Sequence, residues 1–150
     1  MTKYLLLTAT IFAVLFSGCK KGDCSYYSND NAETIGHDGL TREYIVYVPS
    51  TYDGNSSLPV VLNFHGFGGL ASDHMADADM RPQAESDTFL LVYPQGACLD
   101  GFSHWNASLP GGDNKSDVDD LGFIVAMIDQ LTSDYNIDEE RIYACGYSNG

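Results

Sequence analysis

The chain has 150 residues, enough for one domain, and its 44% apolar and 19% charged residues suit a globular protein with a packed core. The formal net charge of −14 argues against nucleic acid or an anionic membrane surface as a partner. It leaves a neutral substrate open, and its simplest use is solubility.

The first 18 residues read as a targeting segment. Lys3 supplies a short positive region, and the run from Leu5 to Phe16 is apolar except for Thr8 and Thr10. Such a run is too short to span a bilayer as a mature helix. It ends in Phe16-Ser17-Gly18-Cys19, which resembles the lipobox of bacterial lipoproteins. That resemblance implies cleavage before Cys19, lipid on its sulfur and amine, and anchoring to the outer membrane at the cell surface or periplasmic face. Phe16 stands where that box usually has leucine, so plain secretion is the alternative. Export places Cys24, Cys98 and Cys145 in an oxidising compartment. Cys24 and Cys98 could pair, or Cys98 could pair beyond Gly150. Cys145 is expected to be a buried, inert thiol. No Cys-x-x-Cys spacing suggests zinc.

Residues 19–30 are polar and aperiodic, a tether, and the domain is expected over 31–150. Ala32 to His37 is a weak strand, Asp38-Gly39 a turn, and Thr41 to Val48 an alternating strand that completes a hairpin. Pro59 to Phe64 is a continuous apolar run with one Asn, as in a strand buried on both faces of a parallel sheet. A helix is expected over residues 73–80, capped by Ser72 and broken at Arg81-Pro82, with another turn of helix at 83–87. Thr88 to Tyr93 is a second buried strand, and Gln95 to Ser116 a long loop. Asp117 to Tyr135 is the strongest helix, with Leu121, Ile124, Val125, Ile128 and Leu131 as its apolar stripe and an acidic first turn suited to the helix dipole. Arg141 to Cys145 is the last strand. An opening hairpin followed by strand–helix–strand units defines an α/β protein.

The chemistry concentrates at Gly146-Tyr147-Ser148-Asn149-Gly150. This matches Gly-x-Ser-x-Gly, the nucleophile elbow, in which a sharp strand-to-helix turn lifts a serine out of the sheet. Glycine is required on both flanks because a Cβ there would collide with neighbouring backbone. A helix is expected to follow Gly150. Ester hydrolysis needs a nucleophile, a base and donors for the oxyanion. Ser148 is the nucleophile candidate, and the backbone N–H of Asn149 is the first oxyanion donor. The His65-Gly66-Phe67-Gly68-Gly69 loop lies where the second donor is needed, and the Phe67 N–H is assigned to it. His65, Trp105 and Tyr147 are candidate substrate contacts. As a base His65 is disfavoured, because its ring would have to cross the place of the substrate carbonyl. His104 is the hardest of the four histidines to exclude as a base. Trp105 admits two readings, an aromatic wall for a sugar or phenolic ring and a plug of its loop against the core. The spacing of Asp113, Asp117, Asp119 and Asp120 does not match a calcium loop, and His74 with Asp77 makes a poor metal pair, so no metal site is expected.

Several stretches, in order, resemble the secreted esterases grouped with polyhydroxybutyrate depolymerases and with the feruloyl and acetylxylan esterases of carbohydrate esterase family 1. They are residues 39–49, 59–66 and 91–96, Trp105-Asn106, and residues 118–124 and 141–150, so the resemblance covers roughly residues 36–150. It implies the α/β-hydrolase fold with strand order 1-2-4-3-5 and a serine esterase mechanism without a cofactor. The substrates would be feruloyl or acetyl esters on plant polysaccharide, or a polyester. Many members of that group have Cys where Phe67 stands, which reshapes the wall of the oxyanion hole. In this fold the triad runs Ser, then Asp or Glu, then His, so both partners of Ser148 are expected beyond Gly150, and residues 1–150 by themselves are expected to be inactive. Two other readings share the elbow: a serine peptidase of the same fold, and a non-catalytic binding protein of the cell surface.

Overall fold

The computed structural model describes residue 29 and residues 31–108 and 114–150. The targeting segment, Cys19 and Cys24 lie outside the described residues. Asn29, which the sequence places in the tether, is buried. Its amide donates to Glu43 Oε2 at 2.9 Å and to Gln95 Oε1 at 3.0 Å, while its carbonyl oxygen Oδ1 accepts from the Ser72 N–H.

The hairpin forms as expected, with β1 at Glu33–His37 and β2 at Leu40–Tyr47 antiparallel around Asp38-Gly39. Both turn residues take positive φ, 49° and 75°, which is what an Asp-Gly turn between twisted strands requires. β3 (Leu58–Phe64) follows. Two short helices come next, α1 at Ala71–Asp77 and α2 at Arg81–Asp87. The expected division into two helices is present, but the sequence expectation puts Arg81-Pro82 between them. Instead these residues open α2, because proline at the first turn gives up an N–H that has no intrahelical partner. Leu70, not Ser72, occupies the N-cap of α1, with no side-chain cap.

β4 (Leu90–Pro94) leads into a segment expected to be loop, which instead holds a second hairpin, β5 (Ala97–Leu99) and β6 (Phe102–His104). Its turn is Asp100-Gly101, with φ of 50° and 85°, the same signal as in the first hairpin. α3 runs Asp120–Asp134, and Asp119 caps it by accepting the Gly122 N–H at 2.9 Å. β7 is longer than expected, Ile137–Gly146.

The main sheet has the order β1-β2-β4-β3-β7, with β2–β4 antiparallel and both β4–β3 and β3–β7 parallel. Alternation along β4 divides the core. Leu90 and Val92 join Leu58, Val60, Leu62, Phe123, Met127 and Leu131 on one face. Leu91 and Tyr93 join Ile45, Ala71, Ala84 and Phe89 on the other. The sheet is therefore a middle layer between α3 and the α1–α2 pair, the α/β arrangement expected.

The buried stripe of α3 is a correction to the sequence reading. Phe123, Met127 and Leu131 face the sheet with Asp120, whereas Leu121 and Val125 are exposed. The apolar arc of α3 is wider than one interface. One side meets the sheet, and Leu121, Ile124 and Val125 line a cavity of about 530 Å³ with Phe64, Trp105 and Ala144. β7 pairs with β3, and among the described residues no strand lies on its other edge. Cys145 is consequently an exposed free thiol rather than a buried one. Cys98 is disulfide-bonded.

Candidate active site

Parallel pairing brings the ends of β3 and β7 side by side, Phe64 opposite Gly146, so each strand delivers its loop to the same edge of the sheet. This is the carboxyl edge, where α/β folds place their ligands. The Tyr147 N–H donates to the Phe64 carbonyl at 3.1 Å, and the Gly150 N–H closes the turn on the Tyr147 carbonyl at 2.9 Å. Between them Ser148 has φ of 57°, a left-handed conformation costing a non-glycine residue about 1–3 kcal/mol. The flanking glycines are sterically required. A Cβ on Gly146 would lie 2.6 Å from the Gly150 carbonyl carbon, and one on Gly150 would lie 2.5 Å from the His65 carbonyl oxygen.

The Gly-rich loop is next to the serine. A Cβ on Gly66 would come within 3.3 Å of the Ser148 Cβ and 3.1 Å of the Tyr147 ring, so glycine is what lets the two loops meet. Gly68 (φ 75°) turns the loop, and its N–H donates to the Ser103 carbonyl at 2.7 Å. The Ser103 hydroxyl donates to the Gly69 carbonyl, so the β5–β6 hairpin braces the loop from behind. Among the described residues, neither the Phe67 N–H nor the Asn149 N–H donates to a protein acceptor. Phe67 stacks on Phe102, centroids 5.6 Å apart, and both rings are exposed, as is Tyr147.

The other expected contacts lie deeper. His65 is 1% exposed, and both of its ring nitrogens are occupied. The Gly96 N–H donates to Nε2 at 2.9 Å, which fixes the proton on Nδ1, where it is given to the Gly66 carbonyl at 2.7 Å. Burial pushes the imidazole below its ordinary pKa and keeps it neutral. The ring holds its own loop in shape and presents no nitrogen to a ligand. Trp105 is buried as well, with its indole N–H donated to the His65 carbonyl at 2.9 Å and its ring edge-on to Phe64. Its burial fits the plug reading, and it also lines the cavity beside α3, so the aromatic-wall reading stays open. The Asn149 side chain, which the sequence singled out only for its backbone, grips the Trp105 backbone twice. Its Oδ1 accepts the Trp105 N–H at 2.8 Å, and its Nδ2 donates to the Trp105 carbonyl at 3.2 Å.

Behind this lies a buried ion pair that sequence reasoning missed. Arg42 Nη2 donates to Asp120 Oδ1 at 2.6 Å, both side chains being 3% exposed. Asp120 Oδ2 accepts the Asn106 N–H at 2.7 Å, and Arg42 lies over the Phe123 ring at 4.0 Å. Burial pulls the guanidinium pKa down, against the pull of Asp120. An Arg on an exposed-looking strand position and an Asp in an acidic run gave no sequence signal of pairing.

The four histidines of the chain are all engaged elsewhere than Ser148. His104 donates from Nδ1 to the Ala97 carbonyl at 2.9 Å and meets the Ser116 hydroxyl through Nε2 at 3.1 Å. His74 donates to Asn63 Oδ1 at 2.9 Å, and His37 pairs with Asp119 at 3.1 Å. Among the described residues no cluster of three or more His, Cys, Asp or Glu could hold a metal ion, and no helix is long and apolar enough to cross a membrane.

No family model matches the chain. Over 112 residues it is 31% identical to a bifunctional acetylxylan esterase/xylanase of Neocallimastix patriciarum, an alignment covering 75% of this chain and 15% of that protein. Over 109 residues it is 31% identical to feruloyl esterase B of Piromyces equi, covering 73% of this chain and 20% of that one. A solved structure of a thermostable esterase superposes with a TM-score of 0.58 at 23% identity, over 79% of this chain and 34% of the other. The strand order and these neighbours define an α/β-hydrolase fold, described from its opening hairpin to the turn at residues 146–150. In sequence the chain is related to the feruloyl and acetylxylan esterases, and it spans a fifth or less of the length of the two relatives just described.

Proposed function

We propose that the chain is the N-terminal part of an exported serine esterase that cleaves carboxylic esters on plant polysaccharide or on a polyester, through an acyl-Ser148 intermediate. The observation that carries this reading is the left-handed Ser148 set against the Gly66-Phe67 loop. A strained non-glycine residue persists where the surrounding structure over-determines it, and such residues cluster at functional sites. The unpartnered N–H groups of Phe67 and Asn149 would take the oxyanion as the ester carbonyl becomes tetrahedral. Ser148 would attack the carbonyl carbon, its proton passing to a base. The alcohol would leave with a proton, and water would then release the acid. Exposed Phe67, Phe102 and Tyr147 would border the ester.

Because all four histidines are engaged elsewhere, the base and its acidic partner would come from sequence following Gly150. Residues 1–150 alone would then be inert. Lipidation at Cys19 would hold the enzyme at the outer membrane. The related esterases support the ester class, and no nucleic acid is expected as partner at this net charge.

The test is Ser148→Ala in the full-length protein, assayed on methyl ferulate and on 4-nitrophenyl acetate. The triad acts as a unit, so kcat should fall about 10⁴-fold to 10⁶-fold with the thermal transition retained. Turnover within tenfold of the parent would remove Ser148 from the mechanism.

A further inference from the structure

The elbow and the oxyanion loop belong to different strands, and the sheet alone fixes only their strand ends. The β3–β7 pairing stops at Phe64 and Gly146, and the Tyr147 N–H bond to Phe64 adds one more tie. Beyond that point the chain forms the two sides of the site, the turn from Ser148 to Gly150 and the loop from Gly66 to Gly69, which meet where Gly66 approaches Tyr147 and Ser148. Esterase chemistry at Ser148 requires the Phe67 and Asn149 N–H groups to converge on one oxygen, within hydrogen-bond reach of both. Something outside the sheet must set their separation.

Trp105 touches both sides. Its backbone N–H and carbonyl are gripped by the Asn149 amide at 2.8 Å and 3.2 Å, and its indole N–H holds the His65 carbonyl at 2.9 Å. The His65 ring then carries the constraint into the Gly-rich loop through Gly66, and into the end of β4 through Gly96. Trp105 is itself anchored. The next residue, Asn106, gives its N–H to buried Asp120, which Arg42 holds in turn, and the Asn106 amide donates to the Ser116 and Val118 carbonyls. A flexible loop would transmit nothing, whereas this one is fixed on both sides of the indole.

We propose that Trp105 and the side chain of Asn149 form a clamp that sets the spacing between the two oxyanion donors and holds Ser148 in its left-handed conformation. They are positioning residues: neither side chain touches the reacting atoms. The proposal rests on the reading of Ser148 as the nucleophile. It gives the amide of Asn149 a role separate from that of its backbone N–H. It also accounts for a tryptophan buried beside an active loop with its only donor spent on a backbone carbonyl.

The experiment uses the full-length protein with Trp105→Phe, Asn149→Ala, the double variant and Ser148→Ala. Trp105→Phe keeps a ring against Phe64 and removes the bond to His65, so the fold survives even where Asn149→Ala lowers the yield. For each variant, kcat and KM on 4-nitrophenyl acetate and the affinity for a trifluoromethyl ketone are measured per folded molecule. Misplacing one donor by about 1 Å costs about 10²-fold in rate, so kcat should fall about 10-fold to 100-fold, with KM within about twofold. Affinity for the ketone, which forms a tetrahedral adduct, should fall in step with kcat/KM. The double variant should be little worse than the poorer single one, since both break one unit. A purely structural role would lower the melting temperature and leave kcat unchanged, and that result overturns the clamp. Equal losses in kcat with ketone affinity preserved would overturn it too. If Ser148→Ala stays active, the nucleophile assignment falls; if Ser148→Ala is dead while both clamp variants keep parental kcat, the clamp alone falls.

Discussion

Asp120→Asn should be the most damaging single polar substitution in the described domain. The carboxylate serves two buried donors at once, Arg42 Nη2 at 2.6 Å and the Asn106 N–H at 2.7 Å. An amide has one acceptor oxygen, so one donor loses its partner and meets an NH₂ group instead. The Arg42 charge stays where it is, 3% exposed, and its Nη1 already lacks a hydrogen-bond partner among the described residues. Leaving a buried charge without its counter-ion costs about 3–5 kcal/mol. Single domains have about 5–15 kcal/mol in all, so the variant should sit near the edge of folding. In the full-length protein, the urea midpoint should drop at unchanged slope, corresponding to that loss. Arg42→Met with Asp120→Leu is the control. It removes both charges, so most of the loss should return, leaving about 1–3 kcal/mol for the orphaned Asn106 N–H. The reasoning is refuted if Asp120→Asn costs under about 1 kcal/mol, or if the apolar pair is as unstable as the single variant.

Stability should also fall as pH drops from about 6.5 toward 5. Burial lowers the pKa of His65 and that of half-buried His74, which solvent screens more, so below the ordinary histidine value the unfolded chain binds more protons, and His65 contributes up to about 1.4 kcal/mol per pH unit in that window, His74 adding in the same direction; a urea midpoint flat from pH 7 to 5 would contradict it. Ser148→Gly should abolish turnover yet raise stability by about 0–1 kcal/mol, because glycine accepts φ of 57° without strain, and a clear destabilisation in thermal melts would speak against strain at the elbow. Trp105 is the only tryptophan of residues 1–150, so when these residues are studied alone its emission reports the clamp; Asn149→Ala should shift it to the red, and an unchanged spectrum would show that the indole does not depend on Asn149. Labelled palmitate should enter the protein expressed in a bacterium and be lost in Cys19→Ser, and label that persists in the variant would sink the lipid anchor.

The parts of the fold legible in sequence were those set by local rules. The continuous apolar runs at residues 59–64 and 88–93 gave strands buried on both faces, and Asp38-Gly39 gave the hairpin. The same Asp-Gly signal at residues 100–101 carries less weight in sequence, because the flanking strands are only three residues each and too short to show alternation. α3 showed an apolar arc wide enough for two stripes, and periodicity could not say which one the sheet would take. Phe123, at the centre of the true stripe, packs on Arg42, an arrangement set by tertiary contact alone. The elbow was readable because its steric needs fall on five consecutive residues. The bonds that brace it join residues 40 or more apart, Asn149 to Trp105 and Trp105 to His65, and no spacing rule reaches that far.

The central claim, that Ser148 is the nucleophile, is tested most directly by trapping it. The full-length protein is treated with a fluorophosphonate, digested with trypsin and analysed by mass spectrometry. One adduct per molecule is expected, on the peptide that begins at Ile142 and at Ser148 within it, with loss of activity proportional to labelling. Stoichiometric inactivation with the adduct on any other residue, or full activity with Ser148 labelled, would contradict the assignment.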